Sequence, residues 1–141
     1  MKKVFLIACS KRKKSQPCIA EEMYSNSHLF NLCLKYARKF SKNEDDIYII
    51  SAKYGLLELN THIQYYDIIL NSMKKKERKE WANLVYGQLI SKIDIKNYEC
   101  AVILAGKNYY EELLPLLGMK YEIPCNGLKM GERIHFLKKI L

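Results

Sequence analysis

The sequence predicts an α/β fold in three layers, with about four mainly parallel strands and helices on both faces. Short apolar runs rich in β-branched residues, at residues 4–9, 47–51 and 99–105, alternate with amphipathic stretches long enough to be helices. Each run is separated from the next by the long connection that parallel neighbours require. The runs also end in small polar or glycine-containing turns, SKRKK at residues 10–14 and GK at 106–107. Their carboxyl ends should therefore open on one exposed rim, which is where open α/β sheets bind ligands. The 141 residues, 49% of them apolar, suffice for one core and predict a single domain over residues 1–141.

The elements follow in order. Residues 4–9 form a buried strand, and the basic segment 10–14 is its exposed mouth. Residues 15–27 carry no sustained apolar periodicity and read as irregular, with Pro17 preventing an early helix. Ser27 caps a helix over residues 28–40, in which Leu29, Leu32, Cys33, Tyr36 and Phe40 recur at helical spacing. A turn at residues 43–46 leads into the second strand, 47–51. Residues 52–71 read mainly as a long loop with a turn of helix, and long loops in compact domains are more often functional than accidental. Ser72 opens a charged helix over residues 74–93 whose inner stripe is Trp81, Leu84, Val85, Gln88 and Leu89. The third strand, 99–105, ends in Gly106-Lys107, a short helix over 109–117 stops at Gly118, and a fourth strand follows at 121–124. A closing helix over 132–140 turns Ile134, Phe136, Leu137 and Leu141 toward the sheet.

No apolar run approaches the length of a membrane span, and Met1-Lys2-Lys3 lacks the small-residue cleavage site of a secretory signal. A soluble, cytoplasmic protein without a membrane partner is expected. The five cysteines, Cys9, Cys18, Cys33, Cys100 and Cys125, are odd in number and lack the close pairs of a zinc site or redox motif. Cys9 and Cys100 fall in strands as small hydrophobes, while Cys18 sits beside Pro17 in a polar loop. The net charge of +9, from 24 basic against 15 acidic residues, favours a polyanionic partner, although a lysine-rich composition also follows from genomic base composition.

The rim brings chemistry-bearing residues together. Lys11, Arg12, Lys53, Lys107 and Arg133 would join Ser10, Ser51, Tyr66 and Asp67 there, a set able to hold a phosphate while a carboxylate works on the attached sugar or base. The predicted substrate-binding residues are Ser10, Lys11, Arg12, Tyr24, Ser51, Tyr66, Gly106, Lys107, Tyr109, Gly131 and Glu132; the predicted catalytic ones are Asp67, Lys53 and His28. Asp67 follows Tyr65 and Tyr66 in an apolar setting that would raise its pKa on burial, and a helix or turn cap is its alternative role. Most of the 11 tyrosines serve as amphipathic packing, though exposed rings can stack on bases. Neither the Walker A motif nor the dinucleotide glycine fingerprint is present, so no ATP, NAD or other cofactor is expected. His28, His62 and His135 are spaced too widely to suggest a metal, and none is expected. His28, beside Ser27 and near Tyr24, is the best of the three for a functional role.

ACSKRKK at residues 8–14, the segment 24–30, SAKYGLL at 51–57, Tyr66-Asp67, LAGKNYYEELLP at 104–115 and GLKMGER at 127–133 occur in a distinctive order and spacing. Together they resemble, over nearly the whole chain, a family of small bacterial and phage proteins of unassigned function. That family is distantly similar to the uracil-DNA glycosylase-like α/β superfamily. Pro17-Cys18 followed by Tyr24, Ser25, Ser27 and His28 is also similar to a motif in archaeosine synthase. The match departs at Glu22-Met23, where that motif carries a lysine, and at Ser10-Lys11-Arg12, where the glycosylases carry an acidic water-activating motif.

The resemblance implies an enzyme that acts on a base or nucleoside unit of nucleic acid, most readily a hydrolase cleaving or remodelling an N-glycosidic bond. Asp67 would stabilise the cationic sugar or position water, Lys53 and Lys107 would bind phosphate, and Tyr24 or Tyr66 would stack on an extruded nucleobase. The expected partner is a nucleic acid, DNA or RNA, or a nucleotide. The alternative is a non-catalytic nucleic-acid or nucleotide-binding module or a phage-conflict factor, and a third reading is a sensor or small-molecule transferase for nucleotide derivatives.

Overall fold

The computed structural model describes residues 2–141. Its strands are β1 (Lys2–Ala8), β2 (Cys18–Ile19), β3 (Ile47–Ser51), β4 (Gly55–Glu58), β5 (His62–Ile63), β6 (Tyr98–Leu104) and β7 (Tyr121–Glu122). Its helices are α1 (Ala20–Met23), α2 (His28–Phe40), α3 (Lys75–Lys92), α4 (Lys107–Tyr110), α5 (Leu114–Leu117) and α6 (Met130–Ile140). The main sheet has the order β4-β3-β1-β6-β7, in which only β4 runs antiparallel, while β2 and β5 pair as a small antiparallel ribbon. Among the described residues no helix is long and apolar enough to cross a membrane.

The central strands are buried on both sides. Val4, Phe5, Leu6 and Ile7 of β1 have no exposed surface and all five residues of β3 are buried. Successive strand side chains point to opposite faces, so an unbroken apolar run is the pattern of a strand covered above and below. Each such side chain withdrawn from water contributes about 1.5–3 kcal/mol. α2 packs on β1 and α6, and α3 packs on β4, α4 and α5.

Local signals fix α2. The Ser27 hydroxyl accepts from the Phe30 amide at 3.2 Å, a cap that stabilises the helix start by about 1 kcal/mol, and Phe30, Cys33, Leu34 and Ala37 form its inner face. α3 is fastened to the sheet edge differently. Gln88 accepts from the Leu56 amide at 2.7 Å and donates to the Tyr54 carbonyl at 3.1 Å. Gly55, at φ +73°, lies against this amide group, and any Cβ there would collide with Gln88 Oε1.

Several expectations are corrected. The main sheet has five strands rather than about four, because residues 55–58 in the expected long loop turn back as β4. Residues 15–27 are not irregular throughout: Cys18 and Ile19 pair with Ile63 and His62, and α1 follows at once. The helix expected over 109–117 is two short ones, since Pro115 at the start of α5 has no amide to continue the ladder. Gly118 does end it, in the left-handed conformation at φ 61°. Phe40 and Leu141 are exposed rather than turned inward, and Leu84, though half-exposed, edges against Gly55 of β4.

Candidate functional site

The strand order builds the site. From β1 the chain passes to β3 on one side, whereas from β6 it passes to β7 on the other, so the connections diverge above the carboxyl ends of β1 and β6. A crevice at such a switch point is where open α/β sheets hold ligands. Here it is a cleft of about 530 Å³. Cys9, Ser10 and Lys11 line it from the end of β1, and Ala105, Gly106, Lys107 and Tyr109 line it from the end of β6. Ser27, Leu29, Phe30 and Cys33 of the α2 end add an apolar side, and residues 68–71 form part of the wall. Asn108 Nδ2 donates to Asn71 Oδ1 at 3.1 Å and ties that wall to α4.

The charged lining residues are Lys11, Lys107 and Arg133; no Asp or Glu lies among the described lining residues. Arg133 is held by its Nε, which donates to the Leu128 carbonyl at 2.9 Å, and its guanidinium lies against Gly106. The basic loop is also anchored. Ser10 Oγ donates to the Arg12 carbonyl at 2.7 Å, the Lys14 amide donates to the Met23 carbonyl at 2.8 Å, and the Lys13 ammonium sits 4.6 Å above the Tyr66 ring.

Beside the cleft lies a buried network of neutral hydroxyls. Ser51 Oγ donates to the Tyr66 hydroxyl at 2.9 Å, which bonds the Tyr24 hydroxyl at 2.7 Å. Ser51 also accepts from the Lys53 and Tyr54 amides, and its carbonyl accepts from Trp81 Nε1 at 2.8 Å. Tyr109 closes the cleft side, with its hydroxyl 3.3 Å from Cys9 Sγ and its ring edge-on to Trp81 at 5.8 Å. Burial, and next the neighbouring Cys9, push the hydroxyls of Tyr24, Tyr66 and Tyr109 well above the usual tyrosine value, so all three stay protonated as donors.

The structure thus brings Ser10, Lys11, Gly106, Lys107 and Tyr109 together in one cleft. Tyr24, Ser51 and Tyr66, at 0%, 0% and 5% exposure, lie in the packed network instead; neither ring has a face open for a base to stack on. The expected burial of Asp67 does not occur. It is exposed, one residue before cleft-lining Ile68 but outside the lining itself. Lys53 is exposed with its ammonium 5.2 Å from the Tyr54 ring centroid, and Arg12 is exposed in the basic loop. His28 is the exposed first residue of α2. Gly131 and Glu132 border a separate shallow hollow on α6, where Glu132 caps the helix by accepting from the Lys129 amide.

Much of the lining was not among the predicted site residues: Leu29 and Phe30, Ile69 and Asn71, and the two cysteines Cys33 and Cys125. Burial pushes the Cys33 thiol up to about 12 and raises Cys125, while the Arg133 charge pulls both back. Helical spacing marks Cys33 as inward but not as reaching the cleft, and nothing local marks Cys125. Among the described residues no group of three or more His, Cys, Asp or Glu is arranged to hold a metal ion.

Fold and cleft define an α/β protein with a crevice of about 530 Å³ at the switch point of a mostly parallel sheet. The chain belongs to DUF6884, a family of unknown function whose profile matches residues 4–139. No curated protein and no solved structure shows significant similarity to it.

Proposed function

We propose that the β1–β6 cleft holds a base or nucleoside unit of nucleic acid, or a free nucleotide, and that the protein cleaves or remodels its N-glycosidic bond in the manner of a DNA glycosylase. One observation carries this reading: the charged lining is wholly cationic, Lys11, Lys107 and Arg133, and is joined by the accessible apolar side chains of Leu29, Ile68 and Met130. Phosphate suits the cations and a flat base suits the apolar wall. The net charge of +9 also supports it, and the glycosylase chemistry is taken from the motif resemblance alone, since the matched family has no assigned function. Burial of consecutive residues on β1 and β3 supports a three-layer arrangement around the strands that end at the cleft.

Asp67 stands in the chain next to Ile68 of the cleft wall and is the carboxylate assigned to water. Water adds to C1′ as the N-glycosidic bond breaks; the base leaves with the bonding electron pair, and the water proton passes through Asp67 to the base. Exposed Arg12, Lys53 and His28 are available to phosphates of a longer strand. A second reading, a non-catalytic nucleic-acid or nucleotide-binding module or phage-conflict factor, is favoured by the lack of a carboxylate among the described lining residues.

Incubation with modified and unmodified single- and double-stranded DNA and RNA, followed by mass analysis of released bases, separates the two. Release that disappears in Asp67→Asn supports the enzyme. Binding without product supports the module, and neither binding nor release refutes both.

A further inference from the structure

We propose that Arg133, seated against Gly106, forms a phosphate-monoester subsite in the cleft, so that the preferred ligand is a nucleotide with a terminal phosphate. The ligand class rests on the nucleotide reading above, whereas the subsite itself rests on Arg133.

The guanidinium is positioned but unspent. Its Nε is committed to the Leu128 carbonyl at 2.9 Å, which fixes the plane of the group, while Nη1 and Nη2 donate to no acceptor among the described residues. Nor does Arg133 form an ion pair with any described carboxylate. Two parallel N–H donors on a fixed plane match two oxygens of a phosphate better than any lysine can.

Gly106 keeps the space for that plane. Its backbone, at φ −78° and ψ 170°, is one any residue adopts, so glycine is not required there by conformation. A Cβ would instead lie 3.3 Å from Arg133 Nη2 and 3.4 Å from Nη1, and the three nearest heavy atoms it meets all belong to Arg133. A side chain at position 106 would thus press lightly on the guanidinium plane, which leaves glycine the easiest fit beside Arg133.

Charge chooses the monoester. Lys11, Lys107 and Arg133 present three positive charges with no lining carboxylate among the described residues. A phosphate monoester brings nearly two negative charges at neutral pH, whereas an internal phosphodiester brings one. The cleft volume of about 530 Å³ accommodates a mononucleotide, with Leu29, Ile68 and Met130, the accessible apolar lining, available to its base.

The test is a titration followed by Trp81 fluorescence, the chain's single tryptophan, whose ring meets cleft-lining Tyr109. The probes are nucleoside 5′-monophosphates, the matching nucleosides, phenyl phosphate and benzoate. The expected result is binding of monophosphates at least roughly tenfold tighter than nucleosides, and of phenyl phosphate over benzoate. Arg133→Gln should abolish both preferences and Arg133→Lys should weaken them, while Lys120→Gln, which removes an equal charge outside the cleft lining, leaves them intact. Should Arg133→Gln melt early, Arg133→Lys, which keeps the charge and the stem but loses the paired N–H donors, carries the test through its weaker preference. Equal binding of phosphate and phosphate-free probes, or a preference unchanged in Arg133→Gln, overturns the subsite. Nucleic acid processed equally by wild type and Arg133→Gln would also overturn it while sparing the proposed function. Arg133-dependent binding of phenyl phosphate without any binding of nucleotides or nucleic acid would do the reverse.

Discussion

The two ends of the parallel strands solve the same problem with opposite chemistry. At the carboxyl ends, the fully sealed side chains are hydroxyls, with Ser51, Tyr66 and Tyr24 in one hydrogen-bonded chain, while the half-buried Arg78 nearby has its Nε without a partner among the described residues. At the amino ends, where β1, β3 and β6 begin, the buried polar group is a carboxylate. Asp46, 4% exposed, accepts from the Tyr98 hydroxyl at 2.6 Å and has the half-exposed Lys2 ammonium at 4.0 Å, yet its Oδ2 has no hydrogen-bond partner. Neutral groups can be sealed at little cost once their hydrogen bonds are made, while a buried charge costs several kcal/mol to desolvate and Asp46 meets that cost with one hydroxyl donor and a distant ammonium. The end that carries the cleft thus keeps its own charges, Lys11, Lys107 and Arg133, out of the supporting network and available to a ligand.

The contrast can be broken most severely at the charged end. Tyr98→Phe leaves the Asp46 carboxylate buried without its hydroxyl donor and should cost about 3 kcal/mol in urea unfolding. Adding Asp46→Asn should restore part of the loss, and no restoration would mean that packing rather than charge was at stake.

At the hydroxyl end Tyr66→Phe strips a partner from both Ser51 and Tyr24, for a smaller expected loss of about 2 kcal/mol. Because the network borders the cleft, ligand titration should weaken along with the melt. A stable variant with ordinary binding would show that the hydroxyls do not support the site.

Alkaline pH sharpens the difference further. The folded state holds the Cys33 thiol at about 12 against an ordinary 9.0, so the unfolded chain loses this proton first. The associated stability is complete below pH 9 and is lost as pH rises from 9 to about 12, with a slope approaching about 1.4 kcal/mol per pH unit. The raised tyrosines act in the same direction above their ordinary value of 10.0. Cys33→Ala should flatten the early part of the decline in melts taken between pH 8 and 10, and an unchanged slope would assign that part to other groups.

The smallest effect belongs to Lys53→Met. An exposed ammonium lying beside the Tyr54 ring contributes little, and the change in stability should stay within about 0.5 kcal/mol. Weakened nucleic-acid binding by this stable variant would extend the phosphate path beyond the cleft lining.

Legibility in the sequence followed the range of the interaction. α2 was readable to the residue because Ser27 caps it through Phe30, three positions away, and β3 because five consecutive apolar or small residues need only be buried. The shared rim was readable too, since parallel strands joined by helices must end on the same side. β4 was not: its place depends on Gln88 reaching Leu56 from 32 residues away, and GLLE has no alternation to mark it. The ribbon of β2 and β5 likewise pairs Cys18 with Ile63 over a separation that two-residue strands do not advertise.

The amino-acid sequence by itself determined the class of fold, the helix and strand periods, the cationic balance and the segments that meet at the carboxyl edge, because these follow from local periodicity and from connection lengths. Tertiary structure alone decided which rim residues face the cleft and which are sealed beside it. Tyr24 and Tyr66 became buried supports, Asp67 stayed in solvent, and Arg133 came to rest on Gly106. The physical reason is that side-chain exposure at a loop depends on what distant chain packs against it, and a Tyr hydroxyl that finds Ser51 15 residues away leaves no trace in its immediate neighbours.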